Sequence, residues 1–123
     1  MTTVRVLLCD DAAEMRALLR WALEREEGVE IVGEAADGPQ ALDLVADTEP
    51  DVIVLDLQMP ALTPGELLRA IAKLAPQTPI VTFSGYEPEL VAPEQAGLVT
   101  LHIPKTTDLD LVRAAILRLG AGA

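Results

Sequence analysis

An open, doubly wound α/β domain built on a five-stranded parallel sheet is what this sequence predicts, on three observations. Short runs rich in Val, Ile and Leu alternate along the chain with segments of helical period. The central run, Val52-Ile53-Val54-Leu55, is apolar on both faces, as in a parallel strand covered by helices on each side. The chain has 123 residues, 50% of them hydrophobic and only 2% aromatic, which suits one domain with an aliphatic core. The expected architecture is flavodoxin-like, (βα)5, as a single domain over residues 1–123.

The elements follow in order. Val4–Leu8 reads as the first buried strand and ends in Cys9-Asp10-Asp11. From Ala13 a helical period begins, with Met15, Leu18, Leu19, Ala22 and Leu23 as its apolar stripe and Glu14, Arg16 and Arg20 opposite. Gly28 is expected to stop that helix. Trp21 falls off the stripe, towards the polar flank. Val29–Ala35, Gly33 included, is the second strand. Asp37-Gly38-Pro39 is turn chemistry with Pro39 placed as a first helical residue, and Leu42, Val45 and Ala46 give the next helix face. After the central strand, Thr63-Pro64-Gly65-Glu66 spells a capping box, with Leu67, Leu68, Ile71, Ala72 and Ala75 as the buried stripe.

Pro79–Phe83 is the fourth strand, followed by Ser84-Gly85. Alternation calls for a fourth helix in Tyr86–Gly97, but Pro88 and Pro93 interrupt it. An internal proline costs about 3 kcal/mol, so that helix should be short or disrupted. Leu98–Ile103 is the fifth strand, followed by Pro104-Lys105. Thr107 with Asp110 reads as a second capping box, and Leu109, Val112, Ile116 and Leu119 as the face of a last helix closed by Gly120. The charged residues of the first and last helices read as solvated faces.

The formal net charge of −11 argues against direct binding of nucleic acid or an anionic membrane, and favours a cation or a basic partner surface. Cys9 is the only cysteine, so no intramolecular disulfide forms, and a reducing, cytoplasmic compartment is expected. Val4–Cys9 is too short for the apolar core of a signal peptide. No apolar stretch approaches the roughly 20 residues of a membrane span. Gly120–Ala123 reads as a frayed end or the start of a linker.

The strand ends carry the chemistry. In such sheets the ligand crevice lies outside the carboxyl ends of the strands. The first strand leaves Asp10 and Asp11 there, the third Asp56, the fourth Ser84 and the fifth Lys105. Three carboxylates repel one another and one lysine cannot offset them, whereas a hard divalent cation such as Mg²⁺ can. A carboxylate can act as a nucleophile and form an acyl phosphate. Mg²⁺ and Lys105 would neutralise the oxygens of a transferring phosphoryl group, and Ser84 would donate a hydrogen bond to it.

On these residues the chain resembles the receiver domain of a bacterial two-component response regulator, over essentially its whole length. The likeness rests on Asp10-Asp11, on D-L-Q-M-P around Asp56, on Ser84-Gly85 and on Lys105, in order and in strand register. The run Val32–Gly38 also resembles regulators that carry a helix-turn-helix output domain. The resemblance implies Asp56 as phosphoacceptor, Asp11 as a direct Mg²⁺ ligand, Asp10 as one acting mostly through water, and the backbone carbonyl of Gln58 as a third protein ligand. Ser84 is then the hydroxyl that moves onto the phosphoryl group, with Lys105 its ion-pair partner. Gln58 and Tyr86 occupy the positions that tune hydrolysis of the aspartyl phosphate. A histidine kinase or phosphotransfer protein is the implied donor, and an output domain or protein the implied receiver of the signal.

Four features depart from the family pattern. His102 stands where an aromatic switch residue is usual, three positions before the lysine. Pro104 precedes Lys105 and Thr106 follows it; a cis Lys105–Thr106 bond would cost about 3 kcal/mol, so trans is expected. The spacing from Asp56 to Gly65 is one residue longer than the family pattern, so Ala61-Leu62-Thr63 should bulge. The proline-broken segment after Ser84 lies where the family's output surface usually is. A competing reading is a receiver-like scaffold that binds a partner without phosphorylation. A phosphatase or flavodoxin-like binding protein is a third; it is disfavoured because no Gly-rich loop follows the first strand and Gln58 replaces a second aspartate. Trp21 and the last helix are the candidate faces for a homodimer.

Overall fold

The computed structural model describes residues 3–85 and 96–122. Among the described residues nine elements follow in order: β1 (Val4–Cys9), α1 (Ala13–Glu24), β2 (Val29–Ala35), α2 (Gly38–Thr48), β3 (Val52–Leu55), α3 (Pro64–Leu74), β4 (Ile80–Ser84), β5 (Leu101–Pro104) and the C-terminal helix α4 (Leu109–Gly120). All strand pairs are parallel, in the order β2-β1-β3-β4-β5. Of the expected short or disrupted helix over Tyr86–Gly97, residues 86–95 lie outside the described residues.

Side chains alternate across each strand, so the sheet faces two cores. Leu7, Cys9, Ile53 and Leu55 join Ala41 and Val45 of α2 and Leu67, Leu68 and Ile71 of α3. Val6, Leu8, Val52, Val54, Val81 and Phe83 meet α1 and α4 on the opposite face. All four residues of β3 are buried, as a central strand under helices on both sides requires. Between Val6 and Leu7 the β1–β2 register slips by one residue, stepping from Ile31 to Gly33. None of the described helices is long and apolar enough to cross a membrane.

Several element limits differ from the sequence reading. The first helix ends at Glu24, not at Gly28. Gly28 instead takes a left-handed turn at φ 80°, and its carbonyl accepts the Val4 N–H at 2.8 Å. The buried face of α1 narrows to Leu19, Ala22 and Leu23, with Leu18 exposed. In α2 the buried residues are Gly38, Ala41 and Val45, whereas Ala46 faces solvent. Pro39 is the second helical residue, because the Asp37 side chain caps Gln40 N–H and starts the helix at Gly38. β4 begins at Ile80 rather than Pro79. β5 begins at Leu101 rather than Leu98, because Val99 N–H turns back to Ala96 O and parallel pairing starts where Thr100 N–H reaches Ile80 O.

The capping box at Thr63 forms with both of its bonds. The one expected at Thr107 does not. Thr107 N–H bonds Pro104 O within a turn, and Asp108 becomes the cap, accepting Asp110 N–H at 2.8 Å. Some of the charged residues of the first and last helices are paired rather than merely solvated: Arg16 and Arg20 both reach Glu34 on β2, and Arg113 reaches Glu26 and Asp110. Trp21 is 57% exposed, with the Arg25 guanidinium 4.8 Å from its ring centre.

The loop after β3 turns at Pro60 and Ala61. Ala61 sits at φ 83°, a left-handed conformation unusual for a residue with a Cβ. Pro60 O accepts the Gly38 N–H at 3.2 Å, and a Cβ on Gly38 would stand 2.7 Å from Leu62 Cδ1. The loop therefore rests on the start of α2.

Candidate functional site

The strand order reverses at β1, which lies between β2 and β3, and a doubly wound sheet opens its crevice at such a point. Cys9 pairs with Leu55, and Asp56 N–H donates to Cys9 O at 2.8 Å. The residues that follow each strand, Asp10 and Asp56, are thereby set side by side. One carboxylate oxygen from each of Asp10, Asp11 and Asp56 lies within 4.8 Å of the other two. Asp10 and Asp56 are only 2% and 5% exposed, while Asp11 faces solvent.

Lys105 reaches this cluster from the far side. Its N–H donates to Ser84 O at 3.1 Å, continuing the β4–β5 ladder past the last paired residues. Its Nζ stands 2.9 Å from Asp10 Oδ2 and 3.2 Å from Asp56 Oδ2. Burial works against the ammonium, but the hydrogen bond it donates to Asp10 and the charges of Asp56 and Asp10 outweigh it and hold its pKa above the ordinary lysine value. The remaining oxygens of the two buried acids accept backbone N–H groups, Asp10 Oδ1 from Ala12 at 2.9 Å and Asp56 Oδ1 from Gln58 at 3.0 Å. Each buried carboxylate is thus gripped at both oxygens, and neither can rotate freely.

Three carboxylates against one ammonium leave an excess of negative charge in a mostly dry crevice. An all-oxygen donor set of this kind fits a hard divalent cation such as Mg²⁺, with Asp11 presenting its carboxylate towards solvent. Asp10, Asp11, Asp56 and Lys105 are therefore brought together as the sequence reading expected.

Ser84 ends β4, is buried, and lies opposite Pro104 in the ladder. His102 is half-buried on β5, with Nδ1 2.7 Å from the hydroxyl of Thr82 on β4, rather than pointing into solvent. The Lys105–Thr106 bond is trans. Tyr86 lies outside the described residues. Cys9 is buried beneath the acids, and that burial, with the charge of Asp10 adding to it, pushes its thiol up to about 12.

Two contributors were missed from sequence. Thr82 is a buried hydroxyl whose only signal was polarity inside an apolar strand, two residues before Ser84. Arg16 was assigned to a solvated face, yet its Nη1 donates to the backbone carbonyl of Asp10 at 2.6 Å and its Nε to Glu34 Oε1 at 3.1 Å. No local pattern marks a side chain that reaches back six residues to a carbonyl.

Comparison with known proteins agrees with this geometry. The chain is 43% identical over 134 residues to protein-glutamate methylesterase/protein-glutamine glutaminase 5 of Myxococcus xanthus (strain DK1622), covering 100% of this chain but 38% of that protein. It is 30% identical over 112 residues to the uncharacterized transcriptional regulatory protein YhcZ of Bacillus subtilis (strain 168), covering 89% of this chain and 52% of that one. The chain thus spans about two fifths to one half of the length of these relatives. Among solved structures, the response regulator domain of Thermotoga maritima CheB superposes with a TM-score of 0.78 at 30% identity, over 98% of this chain and 96% of that one. The REC domain of AraT, a response regulator from Geobacillus stearothermophilus, superposes with a TM-score of 0.84 at 28% identity, over 98% and 95% of the two chains. A family model described as response regulator receiver domain matches residues 6–117. Sequence, fold and rim chemistry agree, and the chain belongs to the receiver domain family of two-component response regulators.

Proposed function

We propose that this chain, over residues 1–123, is one receiver domain that takes a phosphoryl group from a phosphohistidine onto Asp56. The single observation that carries the reading is the Lys105 ammonium lying between the carboxylates of Asp10 and Asp56, with Asp11 beside them. A carboxylate oxygen of Asp56 attacks phosphorus in line with the donor nitrogen; the P–O bond forms as the P–N bond breaks, and the imidazole leaves. The Gln58 N–H holds the Asp56 carboxylate in one orientation before attack. Lys105 follows the charge as it moves from carboxylate to phosphoryl oxygens.

Asp10, Asp11, Asp56 and the carbonyl of Gln58 would hold Mg²⁺, which when bound supplies charge neutralisation for the phosphoryl oxygens. Ser84 then donates to a phosphoryl oxygen, and His102 shifts with it as the switch residue on β5. The phosphorylated population favours one surface by differential affinity for an output domain or protein. The donor is a histidine kinase or phosphotransfer protein, and the setting is cytoplasmic. The buried lone thiol fits a reducing compartment.

The test is intact mass after treatment with acetyl phosphate. In the presence of Mg²⁺ the mass rises by one phosphoryl group; without Mg²⁺, or in Asp56→Asn, it does not. A normal rise in Asp56→Asn sinks the assignment. Partner binding that is unchanged in Asp56→Asn and indifferent to Mg²⁺ would favour a phosphorylation-independent scaffold instead.

A further inference from the structure

Asp10 and Asp11 meet through one peptide group, and Arg16 holds it. The carbonyl of Asp10 belongs to the peptide that joins the two acids. The N-terminal end of α1 does not satisfy it: Ala12 is the N-cap, has no side-chain cap bond, and offers its own carbonyl to Met15 and Arg16 N–H. Arg16 fills the gap from the first turns of the helix, with Nη1 2.6 Å from Asp10 O. The guanidinium is itself aimed by Glu34 on β2, which bonds its Nε at 3.1 Å and also pairs with Arg20. Asp10 is tied at every polar group, since its N–H donates to Ala35 O at 3.0 Å and its carboxylate meets Ala12 N–H and Lys105. Asp11 is different. It is exposed, so its placement depends on the plane of the peptide that precedes it.

We infer that Arg16 is a positioning residue for the metal-binding acids: by clamping the Asp10–Asp11 peptide against Glu34, it sets where the Asp11 carboxylate stands relative to Asp10 and Asp56. This deepens the proposed function and rests on its assignment of Mg²⁺ to these acids. Partners that orient metal ligands from behind are worth about tenfold or more in metal affinity. The sign of the effect separates this role from others. Removing a cation near an acidic cluster would, by charge alone, tighten Mg²⁺. A merely structural ion pair between α1 and β2 would change thermal stability and leave Mg²⁺ affinity alone. Loss of positioning weakens Mg²⁺.

The experiment is calorimetric titration of the chain with MgCl₂ at constant ionic strength, for the wild type, Arg16→Gln, Glu34→Gln and Asp11→Asn, with thermal melting recorded for each. Arg16→Gln should bind Mg²⁺ about tenfold more weakly. Glu34→Gln keeps an oxygen for Arg16 Nε and should lose melting temperature while binding Mg²⁺ within about twofold of the wild type. If Arg16→Gln does not fold, the Arg16→Gln/Glu34→Gln double variant, which also removes the carboxylate left with Arg20 alone of its two arginines, replaces it with the same expectation. Unchanged or tighter Mg²⁺ binding in the Arg16 variant overturns the inference. If instead the wild type and Asp11→Asn do not differ in Mg²⁺ binding, the metal assignment itself has failed, and the Arg16 role falls with it.

Discussion

Lys105 carries the most weight of any single residue, because two nearly dry carboxylates depend on it. Breaking a buried ion pair by deleting one partner costs about 3 kcal/mol or more, since the other charge is left uncompensated. Lys105→Met should therefore lower unfolding free energy in urea by about that amount, and Mg²⁺ should restore more stability to this variant than to the wild type. Cys9, directly under the acids, makes a pH prediction. Its folded pKa of about 12 lies above the ordinary thiol value of 9.0, so the unfolded chain releases the proton first. The thiol's contribution is fully present below pH 9 and is lost as pH rises from 9 towards 12. Stability in that window should fall by up to about 1.4 kcal/mol per pH unit from this group alone. Cys9→Ala removes that part of the slope. Below pH 9 the folded protein should resist thiol alkylation, a reaction that needs an exposed thiolate.

At the scale of elements, packing overrides local propensity at identifiable places. Gly120 closes α4 as the sequence reading expects, and it is glycine because there is no room for more. A Cβ at 120 would lie 2.5 Å from Val4 Cγ1 and 3.0 Å from Val52 Cγ1. Both neighbours are β-branched and stiff at χ1. Gly120→Ala gains about 1 kcal/mol of helix propensity but should lose more to overpacking, for a net destabilisation of about 1 kcal/mol in denaturant unfolding. A net gain would mean that α4 can slide away from β1 and β3. The two capping predictions teach the same lesson. Thr63-Pro64-Gly65-Glu66 is wholly local and formed as written. Thr107 failed because a turn bond to Pro104 displaced the helix start by one residue. Leu18 and Ala46 were placed on buried faces by period alone, but the arc a helix buries depends on its tilt over the sheet.

At the scale of the molecule, net charge and the proposed metal site act together. A chain of net charge −11 repels itself in the compact state, so monovalent salt should raise stability modestly by screening. Mg²⁺ at matched ionic strength should add a further increment, about 1.4 kcal/mol at ten times its dissociation constant. In Asp11→Asn that increment should vanish while the salt effect stays, and thermal melts in NaCl and MgCl₂ separate the two. Equal melting curves in both salts for the wild type would contradict a specific site.

The sequence by itself determined the alternation of strands and helices, the buried central strand, and the five rim residues to which the proposed chemistry is assigned. Each of these is written in local periodicity or in the residue that follows a strand. It could not show that Arg16 grips the peptide between two acids, that Thr82 holds His102, or that Glu34 aims Arg16. Those contacts join residues from separate elements through long side chains, and their existence depends on how far each helix tilts and where each strand starts. Only the tertiary structure fixes such distances, and a hydrogen bond is lost within about an ångström of displacement.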